Sequence, residues 1–186
     1  MADEGHGEGS GGQAPLLICL QGPGAPRLTP AHDLLAGRFR LIVLEPPGAS
    51  SDTLAPAIAR PGPETFDLLA TSAGAEAALR LALQEPGRVR ALVLEAPTLG
   101  DGELERRLSE VTAPTLVLVG TRDDAAATEA ARRVKKRVPD CHLVFVYDAG
   151  RAIAAERPEA FAEVVSDFLE RHEAFVISRA RSVIHP

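Results

Sequence analysis

The stretch Phe66-Asp67-Leu68-Leu69-Ala70-Thr71-Ser72-Ala73-Gly74-Ala75 passes from an apolar run into small residues around one serine. An amphipathic, alanine-rich segment follows over residues 76–84. The pattern predicts a strand, a tight turn and a helix, with Ser72 in the turn and the first N–H groups of the helix unpaired beside it. Strand and helix pass very close together at such a turn, so the residues two positions before and after the serine must be small. Ala70 and Gly74 meet that requirement.

Similar apolar runs recur along the chain, each starting roughly 25 residues after the last, which is the length of a strand plus a crossover helix. These runs cover residues 16–20, 40–44, 66–69, 89–94, 115–119 and 143–147. Their continuous rather than alternating apolar character indicates strands that are buried on both faces. The sequence therefore predicts an α/β fold, in which a mostly parallel six-stranded sheet has helices on both faces.

The length and composition predict a single domain. A chain of 186 residues is long enough for a sizeable core, and we expect the domain to span residues 14–186. Residues 1–13 are rich in Gly and Glu, so we expect them to form a disordered leader. Apolar residues make up 45% of the chain, with six Phe, one Tyr and no Trp, so the core must be mainly aliphatic.

The charge and the cysteine pattern exclude several classes of protein. A formal charge of −6 argues against a nucleic-acid surface, and no apolar stretch approaches the length of a membrane span. Cys19 and Cys141 lack the spacing of a redox or metal motif, so we predict two buried thiols, no metal and no cofactor. The amino terminus has no secretory signal, and we expect a cytoplasmic protein that binds neither nucleic acid nor membrane.

Two other motifs have structural interpretations. Residues 132–137, Arg-Arg-Val-Lys-Lys-Arg, are basic, but the predicted helix that contains them also has an apolar face and no companion aromatic residues. A solvated helix face explains this cluster better than a phosphate site. Gly22-Pro23-Gly24 begins like a dinucleotide-binding loop, but Arg27 occupies the place of its third glycine, which argues against nucleotide binding.

Two helices bear on the functional interpretation. The helix over residues 126–138 should begin from Asp123 or Asp124, because Ala125 has no side-chain acceptor to cap it. Residues 160–171 form the clearest amphipathic helix of the chain.

In a parallel sheet, functional residues gather in the loops beyond the carboxyl ends of the strands. Three motifs of this chain lie at such ends: Ala70-Thr71-Ser72-Ala73-Gly74, the sequence VRALVLEAP over 89–97, and the G-x-x-D turn from Gly120 to Asp123. In this order they resemble the α/β-hydrolase superfamily, and the resemblance extends from Pro15 nearly to the end of the chain. The nucleophile turn of that family usually reads G-x-S-x-G, and its acid stands in a G-x-x-D turn.

The resemblance implies a serine hydrolase with a triad in the chain order Ser, Asp, His. Ser72 occupies the nucleophile position and Asp123 the position of the acid. At the usual histidine position, in a turn after the last strand, this chain has Gly150-Arg151. A guanidinium stays protonated at any working pH, so Arg151 cannot act as a general base.

The five histidines offer no clear substitute. His142 precedes the last predicted strand and so lies at its amino end, roughly 15–20 Å from the reactive edge at ~3.3 Å per residue. His172 ends the terminal helix, His185 is in the tail and His6 is in the leader. His32 alone follows the loop of the first strand, near the correct edge, although a lone polar residue on a short helix is usually just solvated.

The oxyanion site and the accessory elements of the family are also altered. In the family, the donors are the N–H of the residue after the serine, here Ala73, and an N–H of the loop after the first strand. That loop usually contains His-Gly, whereas Gln21-Gly22 precedes Pro23, which has no N–H, and leaves Gly24 as the possible donor. We also expect neither an N-terminal β-hairpin nor a helical cap after residue 97, so a pocket over Ser72 would be shallow and open.

Structural roles remain as alternatives for the same residues. Thr71 or Ser72 would cap the following helix without any chemistry, and Asp123 would serve as acid, as N-cap or as both. Arg151 would pair with Asp123 across the strand ends, in place of an imidazole–carboxylate pair.

Two functional hypotheses follow. The first is an esterase-like serine hydrolase of small acyl substrates, weak or impaired because its base is missing or unconventional. The second is a non-catalytic pseudo-hydrolase that binds a small acyl or ester ligand, or a protein. A buried Arg151–Asp123 pair and an occluded Ser72 would favour the second hypothesis, whereas His32 within hydrogen-bond reach of Ser72 would favour the first.

Overall fold

A computed structural model of the chain describes residues 14–22, 28–44, 65–172 and 175. The predicted leader over 1–13 lies outside these residues. The elements, in chain order, are β1 (Leu16–Leu20), α1 (Pro30–Ala36), β2 (Arg40–Leu44), β3 (Phe66–Thr71), α2 (Gly74–Gln84), β4 (Val89–Glu95), α3 (Gly102–Arg107), a 3₁₀ turn (Leu108–Glu110), β5 (Thr115–Gly120), α4 (Ala125–Arg137), β6 (Cys141–Val146), α5 (Ile153–Glu156) and α6 (Pro158–Arg171). Within this part of the chain, no helix has both the length and the apolar character that crossing a membrane requires.

The strands form one sheet in the order β2-β1-β3-β4-β5-β6, and every neighbouring pair is parallel. The α/β prediction is therefore confirmed. Because all six strands are parallel, all their carboxyl ends lie at one edge of the sheet. The turns that contain Ser72, Asp123 and Arg151 follow β3, β5 and β6, so all three lie at that edge.

Two hydrophobic layers cover the sheet, one on each face. Helices α2, α3 and α4 pack on one face against alternating strand residues such as Ile18 and Leu68. Helices α1, α5 and α6 pack on the other face against the intervening residues, such as Leu17 and Leu69. Burial on both faces explains why the four inner strands, β1, β3, β4 and β5, are continuously apolar, whereas the edge strands β2 and β6 are partly exposed.

The structure corrects some predicted boundaries. The last strand covers Cys141–Val146 instead of 143–147, because His142 already pairs in register with Leu116 of β5. His142 therefore lies inside the strand, although still at its amino end. The terminal helix covers Pro158–Arg171 and so begins at the proline that precedes the amphipathic pattern, since proline suits the first turn of a helix.

Between β4 and β5 the chain forms only α3 and the 3₁₀ turn. Asp101 caps α3 by accepting a hydrogen bond from the Glu103 N–H group at 2.8 Å. Glu76 of α2 accepts hydrogen bonds from the N–H groups of Gly100 and Asp101, the second at 3.1 Å, and so holds this connection against the domain. Residues 96–114 therefore form a short packed connection without a cap domain.

Candidate active site

Ser72 occupies a tight turn between β3 and α2. Its φ of +48° is in the left-handed region, which is costly for a residue with a side chain and is typical of a serine raised on a strand-to-helix turn. A Cβ atom on Gly74 would lie 2.8 Å from the carbonyl oxygen of Leu20 in β1. Only glycine fits where α2 begins against the end of β1, so the predicted need for a small residue at this position has a direct cause.

Backbone hydrogen bonds hold the serine turn on two sides. The Ser72 N–H donates to the Glu95 carbonyl of β4 at 2.9 Å, and the Ser72 carbonyl accepts from the N–H groups of Ala75 and Thr98 at 3.1 and 3.2 Å. The residue is half-buried rather than occluded. Among the described residues, its hydroxyl has no hydrogen-bond partner, so it remains available to a ligand.

The loop after β1 lies directly against the serine turn. A Cβ atom on Gly22 would lie 3.1 Å from the Thr71 carbonyl oxygen and 3.2 Å from the Ala73 nitrogen. Within the described part of the chain, the Ala73 N–H has no backbone acceptor, which fits its expected role as an oxyanion donor. Pro23 and the alternative donor Gly24 lie outside the described residues.

The turn between β5 and α4 separates the roles of its two aspartates. Asp124 is the N-cap of α4, because its carboxylate accepts from the Ala127 N–H at 2.8 Å. This hydrogen bond and the nearby Arg151 lower the pKa of Asp124. Asp123 points inward, with a side chain only 4% exposed, and its Oδ1 accepts from the Asp124 N–H at 2.8 Å. Its Oδ2 is buried and has no partner among the described residues.

Arg151 reaches from the turn after β6 to both aspartates. Its Nη2 lies 3.3 Å from Oδ1 of Asp123 and 2.9 Å from Oδ2 of Asp124, while its side chain is 40% exposed. The pair with Asp123 thus joins a buried carboxylate to a half-exposed guanidinium. This geometry corresponds to the structural alternative for Arg151, and it commits Oδ1 of Asp123 to a group that cannot accept a proton.

A second group of ion pairs holds the turn after β6, which contains Arg151. Arg122 lies 3.1 Å from Asp148 and 2.8 Å from Glu156, measured between nitrogen and carboxylate oxygen. Oε2 of Glu156 also accepts from the Gly150 N–H at 3.0 Å. The segment that would present a histidine in the family is therefore fixed by charged contacts on both sides of Arg151.

His32 is engaged in the start of α1. Its Nδ1 accepts a hydrogen bond from the Thr29 N–H at 3.2 Å and lies 2.9 Å from the Thr29 hydroxyl. Because Nδ1 is an acceptor in this arrangement, the proton of the neutral ring is on Nε2. Burial lowers the pKa of the ring, and neither nitrogen is then free to accept a proton from Ser72.

The other described histidines lie at the opposite edge of the sheet. His142 is in the amino-terminal half of β6. His172 ends α6, where its Nε2 is 3.7 Å from Oδ1 of Asp67, a fully buried residue near the start of β3. His6 and His185 lie outside the described residues. The serine turn and the Asp123 carboxylate therefore share one edge of the sheet, and within the described part of the chain no imidazole is hydrogen-bonded to either of them.

The sequence analysis assigned no role to Glu95, although its motif stands at a strand end and the structure places it beside the serine turn. It ends β4 directly opposite Thr71 in the sheet, and it is 3% exposed. Its Oε1 accepts from the Ala154 N–H at 2.8 Å. Burial, the largest cause, and the charges of Asp123 and Glu156 together raise the pKa of Glu95 to about 7, although the hydrogen bonds from the N–H groups of Ala154 and Ile153 act to lower it. The available signal was a single carboxyl residue at the end of an apolar run.

Among the described residues, no group of three or more His, Cys, Asp and Glu side chains could hold a metal ion. The chemistry that these residues can perform is binding of a carbonyl group next to the Ser72 hydroxyl, with the Ala73 N–H as a hydrogen-bond donor.

Comparison with known proteins agrees with this architecture. The α/β-hydrolase family model described as TAP-like protein matches residues 91–174, which include the Asp123 and Arg151 turns. No curated protein matches the chain by sequence.

Several solved hydrolase structures superpose on most of the chain. A carboxylesterase from Bacillus subtilis has a TM-score of 0.69 and 18% identity, covering 84% of this chain and 84% of that one. A monoacylglycerol lipase from Paleococcus ferrophilus has a TM-score of 0.73 and 17% identity, covering 84% of this chain and 95% of the lipase. An α/β-hydrolase enzyme from a lagoon-sediment metagenome has a TM-score of 0.72 and 20% identity, covering 86% and 93%. At these identities the likeness establishes the fold.

Proposed function

Because this chain is an α/β-hydrolase-fold protein, we propose that it is an esterase-like serine hydrolase of small acyl compounds whose turnover is impaired at the general base. Ser72 is the nucleophile, Asp123 is the acid and the Ala73 N–H is an oxyanion donor. Arg151 stands where the family has its histidine. The esterase and lipase identities of the structural relatives support the choice of substrate class.

The observation that carries the proposal is the conformation of Ser72. A non-glycine residue with a φ of +48° costs of the order of 1–3 kcal/mol, a cost that recurs at functional sites. Helix capping does not require this conformation, because capping residues normally have extended backbone. The strained turn and its half-buried serine favour a nucleophile position over a simple cap.

The impairment follows from the contacts of Arg151. A serine hydroxyl is a weak nucleophile until a base takes its proton. The group at the usual place of the base is a guanidinium that is already bound to two carboxylates. Turnover without the base would rest on oxyanion stabilisation and proximity, which leave a residual rate far below that of a full triad.

The proposal is tested by p-nitrophenyl acetate hydrolysis with the native protein, Ser72→Ala and Arg151→His. Arg38→His, at an exposed arginine that pairs with Glu170 far from Ser72, is the matched control. We expect weak native turnover that Ser72→Ala abolishes, and a gain in Arg151→His that Arg38→His does not show. Native turnover that survives Ser72→Ala would exclude Ser72 as the nucleophile.

A second candidate function is a non-catalytic module that binds a small ligand or a protein. The pair between Arg151 and the buried Asp123 favours it, because this contact stabilises the turn without any chemistry. An inert native protein together with Ser72-dependent activity in Arg151→His would favour this candidate and would preserve the assignment of the site. If all variants were inert, the assignment of a hydrolase site would be wrong.

A further inference from the structure

Glu95 connects two turns of the candidate site that are far apart in the sequence. Its backbone carbonyl accepts the Ser72 N–H at 2.9 Å, and its Oε1 accepts the Ala154 N–H at 2.8 Å. Ala154 belongs to α5, which begins two residues after Arg151. One residue of β4 therefore holds both the serine turn and the segment that contains the histidine position.

Burial and two acidic neighbours disfavour the ionised form of the Glu95 carboxyl, and they outweigh the two N–H groups of α5 that favour it. Asp123 from the turn after β5 and Glu156 from α5 are the acidic groups in electrostatic contact with it. The buried Cys19 thiol of β1 is also in electrostatic contact with Glu95, whose charge contributes to raising the pKa of the thiol. The arginines of the turns after β5 and β6 bind other carboxylates: Arg122 pairs with Asp148 and Glu156, and Arg151 pairs with Asp123 and Asp124.

We infer that Glu95 is a positioning residue, whose uncharged carboxyl keeps the segment from Arg151 to Glu156 closed against the serine turn and whose loss of a proton opens it. The hydrogen bond between Glu95 and Ala154 is observed in the structure. Its consequence for catalysis rests on the proposed function. An ionised carboxyl that is buried without a cation is costly. We expect α5, the short helix that covers Glu95, to move outward so that water can reach the charge. Opening would carry Arg151 away from Asp123.

Proton linkage gives the size of the change in the open population with pH. In the closed state the pKa of Glu95 is about 7, whereas an open, hydrated carboxyl has its ordinary value of 4.5. The open population then rises about tenfold per pH unit between these values and becomes constant above the higher one. Above neutral pH the segment opens most readily, and below it the segment is closed.

The experiment is hydrogen exchange of the amides of residues 147–157, measured from pH 5 to pH 9 and corrected for the intrinsic exchange rate. We expect protection to fall about tenfold per pH unit up to pH 7 and then to level off. Glu95→Gln keeps an oxygen acceptor for the Ala154 N–H and cannot ionise, so its protection should not change with pH. Glu129→Gln, at an exposed position on α4, is the control and should behave like the native protein.

A measurement on the native protein covers the case in which Glu95→Gln fails to fold. Carbon-13 NMR of side-chain carboxyl groups should show one glutamate with a titration midpoint near 7. The inference is overturned if every glutamate titrates in the ordinary range, or if native protection in 147–157 is independent of pH. Neither readout needs turnover, so an inert Ser72 would count against the proposed function and leave this inference in place.

Discussion

The Nη2 atom of Arg151 lies 3.3 Å from Oδ1 of Asp123, a carboxylate whose side chain is almost completely buried. In the family, a histidine between the serine and the acid would contact this carboxylate. Here a guanidinium contacts it, which neutralises the charge of the carboxylate and cannot accept a proton from Ser72. The contact is consistent with a stable fold and with low catalytic competence.

Removing Arg151 should cost more stability than removing an ordinary surface arginine. Arg151→Ala removes a positive charge that offsets the buried negative charge of Asp123. We therefore expect the free energy of unfolding to fall by about 1–2 kcal/mol, a value between those for exposed and buried ion pairs. Arg38→Ala, which breaks an exposed pair with Glu170, should cost less than ~1 kcal/mol. Urea denaturation of both variants, of Asp123→Asn and of the Arg151→Ala, Asp123→Asn double variant measures the coupling between Arg151 and Asp123. Equal losses for the two arginines would show that the pair contributes nothing specific.

Gly120 should be the least replaceable glycine of the site. A Cβ atom there would lie 2.1 Å from the Ala149 carbonyl oxygen and 2.2 Å from that of Gly150, so Gly120→Ala must push the turn before Arg151 away from β5. We expect a loss of about 3 kcal/mol. Gly37→Ala is the control, because Gly37 has a helical φ of −68° and the change should stay within ~1 kcal/mol. Chemical denaturation compares the two, and a native-like midpoint for Gly120→Ala would contradict the observed packing.

Replacing His32 should affect the start of α1 and leave turnover unchanged. His32→Ala removes the acceptor of the Thr29 N–H, which we expect to cost about 1 kcal/mol. Thermal denaturation measures this cost, and p-nitrophenyl acetate hydrolysis measures turnover at equal folded concentration. A folded His32→Ala protein that had lost Ser72-dependent turnover would identify His32 as the missing base.

The pH dependence of stability gives a second test of His32. Burial lowers its pKa below the ordinary 6.5, so the folded state binds the proton less readily than the unfolded chain does. Its contribution is therefore fully present above pH 6.5 and is lost as the pH falls through the lowered value. His32→Gln should lose less stability than the native protein on acidification to pH 5. An identical loss in both would place the acid-sensitive group elsewhere.

Both cysteines should be unreactive in the folded protein. Burial raises the pKa of the Cys19 and Cys141 thiols to about 12, so almost no thiolate is present at neutral pH. Ellman's reagent at pH 8 should label neither thiol in the native state and both in denaturant. Rapid labelling of a native thiol would show that one of the two core layers opens readily.

Much of the architecture was predictable because it depends on local patterns. Continuous apolar runs at crossover spacing indicate buried parallel strands, and the small residues around Ser72 indicate a tight turn whatever the rest of the chain does. The ends of β6 were less predictable, because Cys141 and His142 join the strand only through pairing with β5. Both predicted buried thiols are buried in the structure.

The sequence alone determined the type of fold and the presence of Ser72, Asp123 and Arg151 in turns after three of the strands, since these depend on residue order and spacing. Only the tertiary structure decided which aspartate caps α4 and which points inward, because the two are adjacent and chemically identical. Tertiary structure also decided that Arg151 binds that inward carboxylate and that Glu95 joins the serine turn to α5. These are long-range contacts between charged groups, whose strength depends on burial and separation, and neither quantity can be read from the order of residues.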